Sequence, residues 1–343
     1  SAWDRAAAAD AEVVRRLRAA GAVILGKTSV PEMMLWPFTE TVAFGATRNP
    51  WDLALTPGGS SGGSGAAVAA GLAPMALGSD GAGSIRIPST WCGLYGIKPQ
   101  RDRVPLAPHD GAWCGLSVNG PICRTVEDAA LFLDVTNTQR APKGGFVAAA
   151  ARKPKRLRIA LSAKVPPLVV ARVGRAQQKA LDGVEALLRE HGHEVFWRDP
   201  DYPAWAVYGH VLPRMWRGAY EDAQTLPHPE RLEPRTRAIV RLGRLISDAQ
   251  IAKIRAAEET LSARVQSIFD DVDVLITPGT ATGPSRIGQY QHRGGVTGLA
   301  LAASRVPFNA IFNATGQPAA VVPWGLDNEG VPLSVQLVGR PSD

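Results

Sequence analysis

Two serines wrapped in glycine are the residues of this chain best suited to chemistry. One is Ser60, in Thr56-Pro57-Gly58-Gly59-Ser60-Ser61-Gly62-Gly63-Ser64-Gly65, and the other is Ser84, in Gly78-Ser79-Asp80-Gly81-Ala82-Gly83-Ser84-Ile85-Arg86-Ile87-Pro88. Glycine has no Cβ, so backbone N–H groups can crowd a ligand oxygen and the chain can take turns closed to other residues. A serine inside such a loop is a candidate nucleophile for acyl transfer. Glycine–serine runs also make flexible linkers. This one leads directly into Ala66-Ala67-Val68-Ala69-Ala70-Gly71-Leu72, a helix-forming run for which Ser64 is placed as N-cap, so a packed loop is expected. A Ser-His-Asp arrangement is disfavoured, because none of the six histidines is near Ser84 in sequence and the G-x-S-x-G elbow is lacking around Ser84.

A second glycine-bearing stretch, Gly21-Ala22-Val23-Ile24-Leu25-Gly26-Lys27-Thr28, matches the phosphate-loop pattern letter for letter. The chemistry does not follow, because a phosphate cradle needs its variable residues as a loop that opens into a helix at Lys-Thr. Ala-Val-Ile-Leu is a strand-forming run, and Pro31 disfavours helix at Val30. Lys27 is expected at a strand end, and a nucleotide-binding role is set aside.

An alternating scaffold is expected to position the serine loops. Asp10 is placed to cap a helix through Val13, Val14 and Leu17, which Gly21 ends before a strand over Ala22–Leu25. The order repeats with a strand at Leu157–Leu161, a helix over Val173–Glu190 and a strand at Glu194–Trp197. Pro200–Pro234 reads as helical and variable. Asp248 begins a long amphipathic helix carrying Ile251, Ile254, Leu261, Val265 and Ile268, and strands follow at Val274–Ile276, Ala319–Val322 and Leu333–Leu337.

A length of 343 residues with 45% apolar content is ample for a large α/β core. No apolar run reaches membrane-spanning length, and Asp4, Arg5 and Asp10 among alanines do not make a secretory leader, so no membrane association and a cytoplasmic location are expected. Cys92, Cys114 and Cys123 are odd in number and lack C-x-x-C spacing, which predicts reduced, buried thiols and no metal site. Net charge is +7, and its densest cluster, Arg152-Lys153-Pro154-Lys155-Arg156, has no interleaved aromatics, so no nucleic-acid partner is expected.

Together with Asn49-Pro50-Trp51-Asp52, Gly120-Pro121, Arg124-Thr125-Val126-Glu127-Asp128, Leu275-Ile276-Thr277-Pro278 and Asn313-Ala314-Thr315-Gly316-Gln317-Pro318-Ala319, the serine loops resemble the amidase signature family. That family hydrolyses carboxamides through a Ser-Ser-Lys triad. The resemblance spans nearly the whole chain and is weakest from Arg140 to about Val272. It implies an α/β fold with a large mixed β-sheet core flanked by helices on both sides. Residues 1–343 would form a single domain, with a variable, largely helical insert at about 200–270. It further implies Ser84 as nucleophile, Ser60 as the relay serine after a cis Gly59–Ser60 bond, and the N–H groups of Gly81, Ala82 and Gly83 as oxyanion hole. Asp80 and Arg86 would pair to fix the turn, while Ser61 would bond either the relay or a loop amide. No cofactor is implied. The partner is a small-molecule amide, and a homodimer is compatible with this reading.

Met33-Met34-Leu35-Trp36-Pro37-Phe38 matches the family's acyl-pocket segment, which makes Met34 and Trp36, with Trp91, candidate pocket walls for an apolar or aryl acyl group. The chain departs from the family at two points. The resemblance places the triad lysine upstream of Asp10, where Ser1–Asp10 offers none, and Lys27 and Lys98 fall in other segments. Missing N- and C-terminal segments are therefore expected. Ala82 stands where glycine is common, a strain only if its φ is positive. Two alternatives remain: an amidotransferase A subunit forming glutaminyl-tRNA, and a non-catalytic binding or scaffold relative lacking the lysine.

Overall fold

The structure, a computed structural model, describes residues 8–341. The leader reading at Asp4 and Arg5 lies outside the described residues. A two-stranded hairpin, β1 (Glu40–Thr41) with β2 (Gly45–Ala46), stands apart from one eight-stranded sheet. The sheet's strands are β3 (Met75–Asp80), β4 (Tyr95–Lys98), β5 (Val118–Cys123), β6 (Arg158–Leu161), β7 (Glu194–Trp197), β8 (Val274–Pro278), β9 (Ala319–Leu326) and β10 (Pro332–Val338). They lie in the order β3-β5-β4-β9-β10-β8-β6-β7. β6 runs parallel to β7 and β8, and every other pairing is antiparallel, so the sheet is mixed.

Strand side chains alternate between faces, and here both faces are apolar. Ile159 and Leu161 of β6 join Ile276 and Val335 beneath Leu181 and Val184 of a long helix, while Ala160 and Leu275 point into the opposite cluster with Leu261, Val265 and Phe269. Helices therefore cover the sheet on both sides.

The helices, in chain order, are α1 (Glu12–Ala19), α2 (Gly62–Ala69), α3 (Arg86–Trp91), α4 (Ala112–Gly115), α5 (Val126–Thr136), α6 (Gly145–Ala150), α7 (Arg175–Glu190), α8 (Leu212–Gln224), α9 (Pro234–Arg244), α10 (Asp248–Ala256), α11 (Glu258–Gln266), α12 (Gly295–Ala303) and α13 (Ile311–Ala314). A π-helical turn at Ala206–Val211 leads into α8, so the chain from Ala206 to Gln266 is dominated by helix. Among the described residues no helix is long and apolar enough to cross a membrane.

Several local expectations are corrected. Asp10 does not cap α1: the cap position is Ala11, without a side-chain bond, and Asp10 instead pairs with Arg18 at 2.9 Å. Ala22–Leu25 forms no strand, because no described strand pairs with it, and Val23 and Leu25 are 82% and 73% exposed. Lys27 accordingly sits in an exposed stretch without regular secondary structure, not at a strand end. Ser64 lies inside α2, which begins two residues earlier, and its hydroxyl donates to Leu77 O at 2.9 Å. The long helix after Asp248 is capped by Ser247 in a capping box with Gln250, and it breaks at Ala257, just before a carboxylate held by two arginines.

Cys92 and Cys123 are buried, but Cys114 is only half-buried, because it sits in a surface turn with its sulfur toward Glu221. Burial pushes its thiol up to about 11 and that of Cys123 to about 12. Native protein should therefore react slowly with one equivalent of Ellman's reagent, at Cys114, and with three after denaturation. Rapid labelling of all three in native buffer would contradict this packing.

Candidate active site

The two serine loops are joined directly: Ser61 N–H donates to Ser84 O at 3.2 Å. Ser60 and Ser61 stand at the start of α2, and Ser84 stands just before α3, so both loops end as helix N-termini. The Gly59–Ser60 peptide bond is cis. A Cβ on Gly59 would lie 2.5 Å from Trp36 O and 2.6 Å from Phe38 N, which makes glycine obligatory where this loop crosses the segment before it. Ser60 is buried and Ser84 half-buried, and neither hydroxyl bonds a described residue.

Asp80, at the end of β3, organises the Ser84 loop. Its carboxylate accepts Gly83 N–H at 2.7 Å, Ile85 N–H at 3.2 Å, and the Nε and Nη2 of Arg86 at 2.9 Å each. Asn313 Nδ2 donates to the same carboxylate at 2.9 Å and to Asp80 O at 2.7 Å. Arg86 spends its remaining N–H groups on Asn309 O, Gln336 Oε1 and Asn313 Oδ1. Both partners are fully buried. Burial alone would raise the Asp80 pKa, but the Arg86 guanidinium outweighs it and holds the carboxyl down at about 2.

Gly83 N–H is committed to Asp80 and is withdrawn from the expected oxyanion hole, because a carboxylate oxygen already occupies its donor direction. Gly83 is still required as glycine: its φ is +122°, and a Cβ would lie 2.8 Å from Asn309 Cβ. Ala82 is not among the left-handed residues, so its methyl imposes no backbone strain. Gly81 is close-packed, since a Cβ there would approach Trp113 Cε3 to 2.7 Å.

Ser61 makes no bond to either serine hydroxyl. Its hydroxyl donates to Ser79 O and accepts Ser79 N–H, both at 3.2 Å, which ties α2 to β3. Lys98 is fully buried, and burial followed by the nearby Arg86 charge holds its pKa well below the ordinary lysine value. Its Nζ donates to Pro99 O and Gln317 O, and to neither serine. The pocket candidates separate. Trp36 and Trp91 are interior packing at 1% exposure each, with indole N–H groups bonded to Thr236 Oγ1 and Thr280 Oγ1, whereas Met34 is 43% exposed.

Residues without a sequence signal complete the site. Trp113 and Cys114 both have left-handed backbones, with φ 53° and 51°. Cys114 O is held by three guanidinium N–H groups, Arg214 Nε at 3.1 Å, Arg214 Nη2 at 2.8 Å and Arg255 Nη1 at 2.8 Å. Trp113 Nε1 donates to Asp222 Oδ2 at 3.2 Å. Asn313 lay within a quoted motif but carried no assigned role. Trp113 stands out in the sequence only as a further wall candidate, with no signal for its position, and nothing local marks Arg214 or Arg255, which act across segments distant in sequence.

A family model described as Amidase matches residues 2–343. The chain is 67% identical over 338 residues to AmiB2 of Mycobacterium tuberculosis, which bears the name of an amidase, covering 98% of this chain and 73% of that one. It is 33% identical over 370 residues to 6-aminohexanoate-cyclic-dimer hydrolase of Paenarthrobacter ureafaciens, covering 96% and 72%. Among solved structures, a 6-aminohexanoate cyclic dimer hydrolase complexed with substrate superposes with a TM-score of 0.85 at 30% identity, over 97% of this chain and 74% of that one. A bacterial aryl acylamidase superposes with a TM-score of 0.81 at 27% identity, over 98% and 72%.

Proposed function

The chain belongs to the amidase signature family of amidohydrolases, and from that membership we propose that it cleaves a small carboxamide with an apolar or aryl acyl group through an acyl-enzyme on Ser84. The observation that carries this reading is the direct junction of two serine loops whose hydroxyls remain uncommitted while Ser61 N–H and Gly83 N–H hold the loops in place. Ser84 Oγ attacks the amide carbonyl carbon and passes its proton to Ser60, which passes its own to a neutral lysine. The family's motif puts that lysine before Asp10, and the first lysine in this sequence is Lys27. N–H groups of Gly81, Ala82 and Ser84 receive the developing oxyanion. The proton returns to the departing amine as the carbon–nitrogen bond breaks, and water, deprotonated by the same relay, then releases the acid and regenerates Ser84.

One fact supports the acyl preference: the relatives include an aryl acylamidase and a 6-aminohexanoate cyclic dimer hydrolase. The test is a fluorophosphonate probe with peptide mapping on the purified full-length gene product, paired with a panel of acyl 4-nitroanilides and glutamine. The expected result is one adduct, on Ser84, with faster turnover of the larger apolar acyl groups. An adduct elsewhere would overturn the nucleophile, and ammonia release from glutamine without anilide turnover would favour an amidotransferase subunit.

A further inference from the structure

Building on the Ser84 reading, we propose that Trp113 is a positioning residue for the oxyanion loop, and that Arg214 and Arg255 of the helical segment hold it there. The loop from Asp80 to Ser84 is braced from two directions. On the sheet side it hangs on Asp80, Arg86 and Asn313. On the other side, the six-membered ring of the Trp113 indole lies against Gly81, where an added Cβ would meet Cε3 at 2.7 Å and Cζ3 at 3.1 Å.

Trp113 does not hold that position by itself, because it and Cys114 occupy a backbone region that L-residues rarely adopt. Arg214 and Arg255 secure the turn by closing on Cys114 O, and Asp222 secures the ring through its N–H. Gly218 of α8 lets the helix approach, since a Cβ there would lie 2.6 Å from Trp113 Cα. The two braces meet at Glu258. Its carboxylate takes Arg214 Nη1 at 2.8 Å and also pairs with Arg101, whose Nη2 donates to Asn313 O at 2.8 Å. The helical segment thus sets where the backbone donors of the Ser84 loop lie.

The test compares Trp113→Ala, Trp113→Phe and Arg214→Lys with wild type, measuring kcat and KM on one anilide. It also measures affinity for an aryl boronate, which forms a tetrahedral adduct with serine. Trp113→Ala should lower kcat by about 30-fold or more with KM within about threefold, and boronate affinity should fall in step with kcat/KM. Trp113→Phe should recover most of the loss, because its ring still covers Gly81. Arg214→Lys keeps the charge toward Glu258 but loses the two-pronged grip on Cys114 O, and should cost about tenfold in kcat. Unchanged kcat in Trp113→Ala would overturn the proposal, as would a kcat loss without a parallel boronate loss. A wild-type protein without a Ser84 adduct would instead overturn the nucleophile reading, so the two failures are distinguishable.

Discussion

Alanine at Ser84 is expected to lower kcat/KM on the best anilide by about 10⁴-fold or more and to abolish fluorophosphonate labelling. The methyl of alanine leaves the loop's bonds to Asp80 and Ser61 in place, since these run through backbone and not through the Ser84 hydroxyl. The loss is therefore chemical and not structural, and the melting temperature should stay within about 2 °C of wild type, as for a substitution within ±0.5 kcal/mol. Alanine at Ser60 removes only the relay and should cost about 10² to 10⁴-fold, with slow labelling of Ser84 retained. In the proposed relay the two hydroxyls act as one unit, so the double variant should be no worse than Ser84→Ala. A double variant markedly slower than Ser84→Ala would show that Ser60 does not act through Ser84.

The second large effect is on stability. Asp80→Asn leaves the Arg86 guanidinium fully buried without its counter-charge, and breaking a buried pair in this way costs about 3–5 kcal/mol. The melting temperature should fall by on the order of 10 °C near pH 7. The pH dependence follows from the depressed Asp80 pKa. A carboxylate that ionises at 3.8 when unfolded and at about 2 when folded contributes stability that is fully present above 3.8 and fades as pH falls toward 2. That shift corresponds to about 2 kcal/mol. The gap between wild type and Asp80→Asn should therefore be constant from pH 7 to 5 and narrow below pH 4. A gap unchanged between pH 5 and pH 2.5 would show that the carboxylate's charge is not what stabilises the loop.

The legible parts of this fold are those where one periodicity decides the matter. Strand β6, helix α7 and strand β7 follow from alternating and 3.6-residue patterns. Ala22–Leu25 has the composition of a strand, but pairing depends on a neighbour that local sequence does not name. Helix α2 starts at Gly62, earlier than propensity suggests, because a Cβ on Gly63 would lie 2.5 Å from the Ser29 backbone. Close packing there outweighs the cost of glycine in a helix. In the candidate site, the Asp80–Arg86 pair could be read because both residues flank one short turn dense in glycine, the feature that also singles out Ser60 and Ser84 as candidates. Asn313, Trp113, Arg214 and Glu258 could not, because each matters only through partners roughly 100 or more residues away in the fold's bookkeeping of contacts or through another arginine that makes such a contact.

Glu258 also constrains any exchange of the helical segment between relatives. Because one carboxylate ties the helical segment to both braces of the Ser84 loop, a segment exchanged at Pro200 and Asp273 must deliver a matching acid at that point, as well as a guanidinium where Arg214 stands. A graft that omits this pair would, in the proposed arrangement, leave the Ser84 loop without one of its two braces.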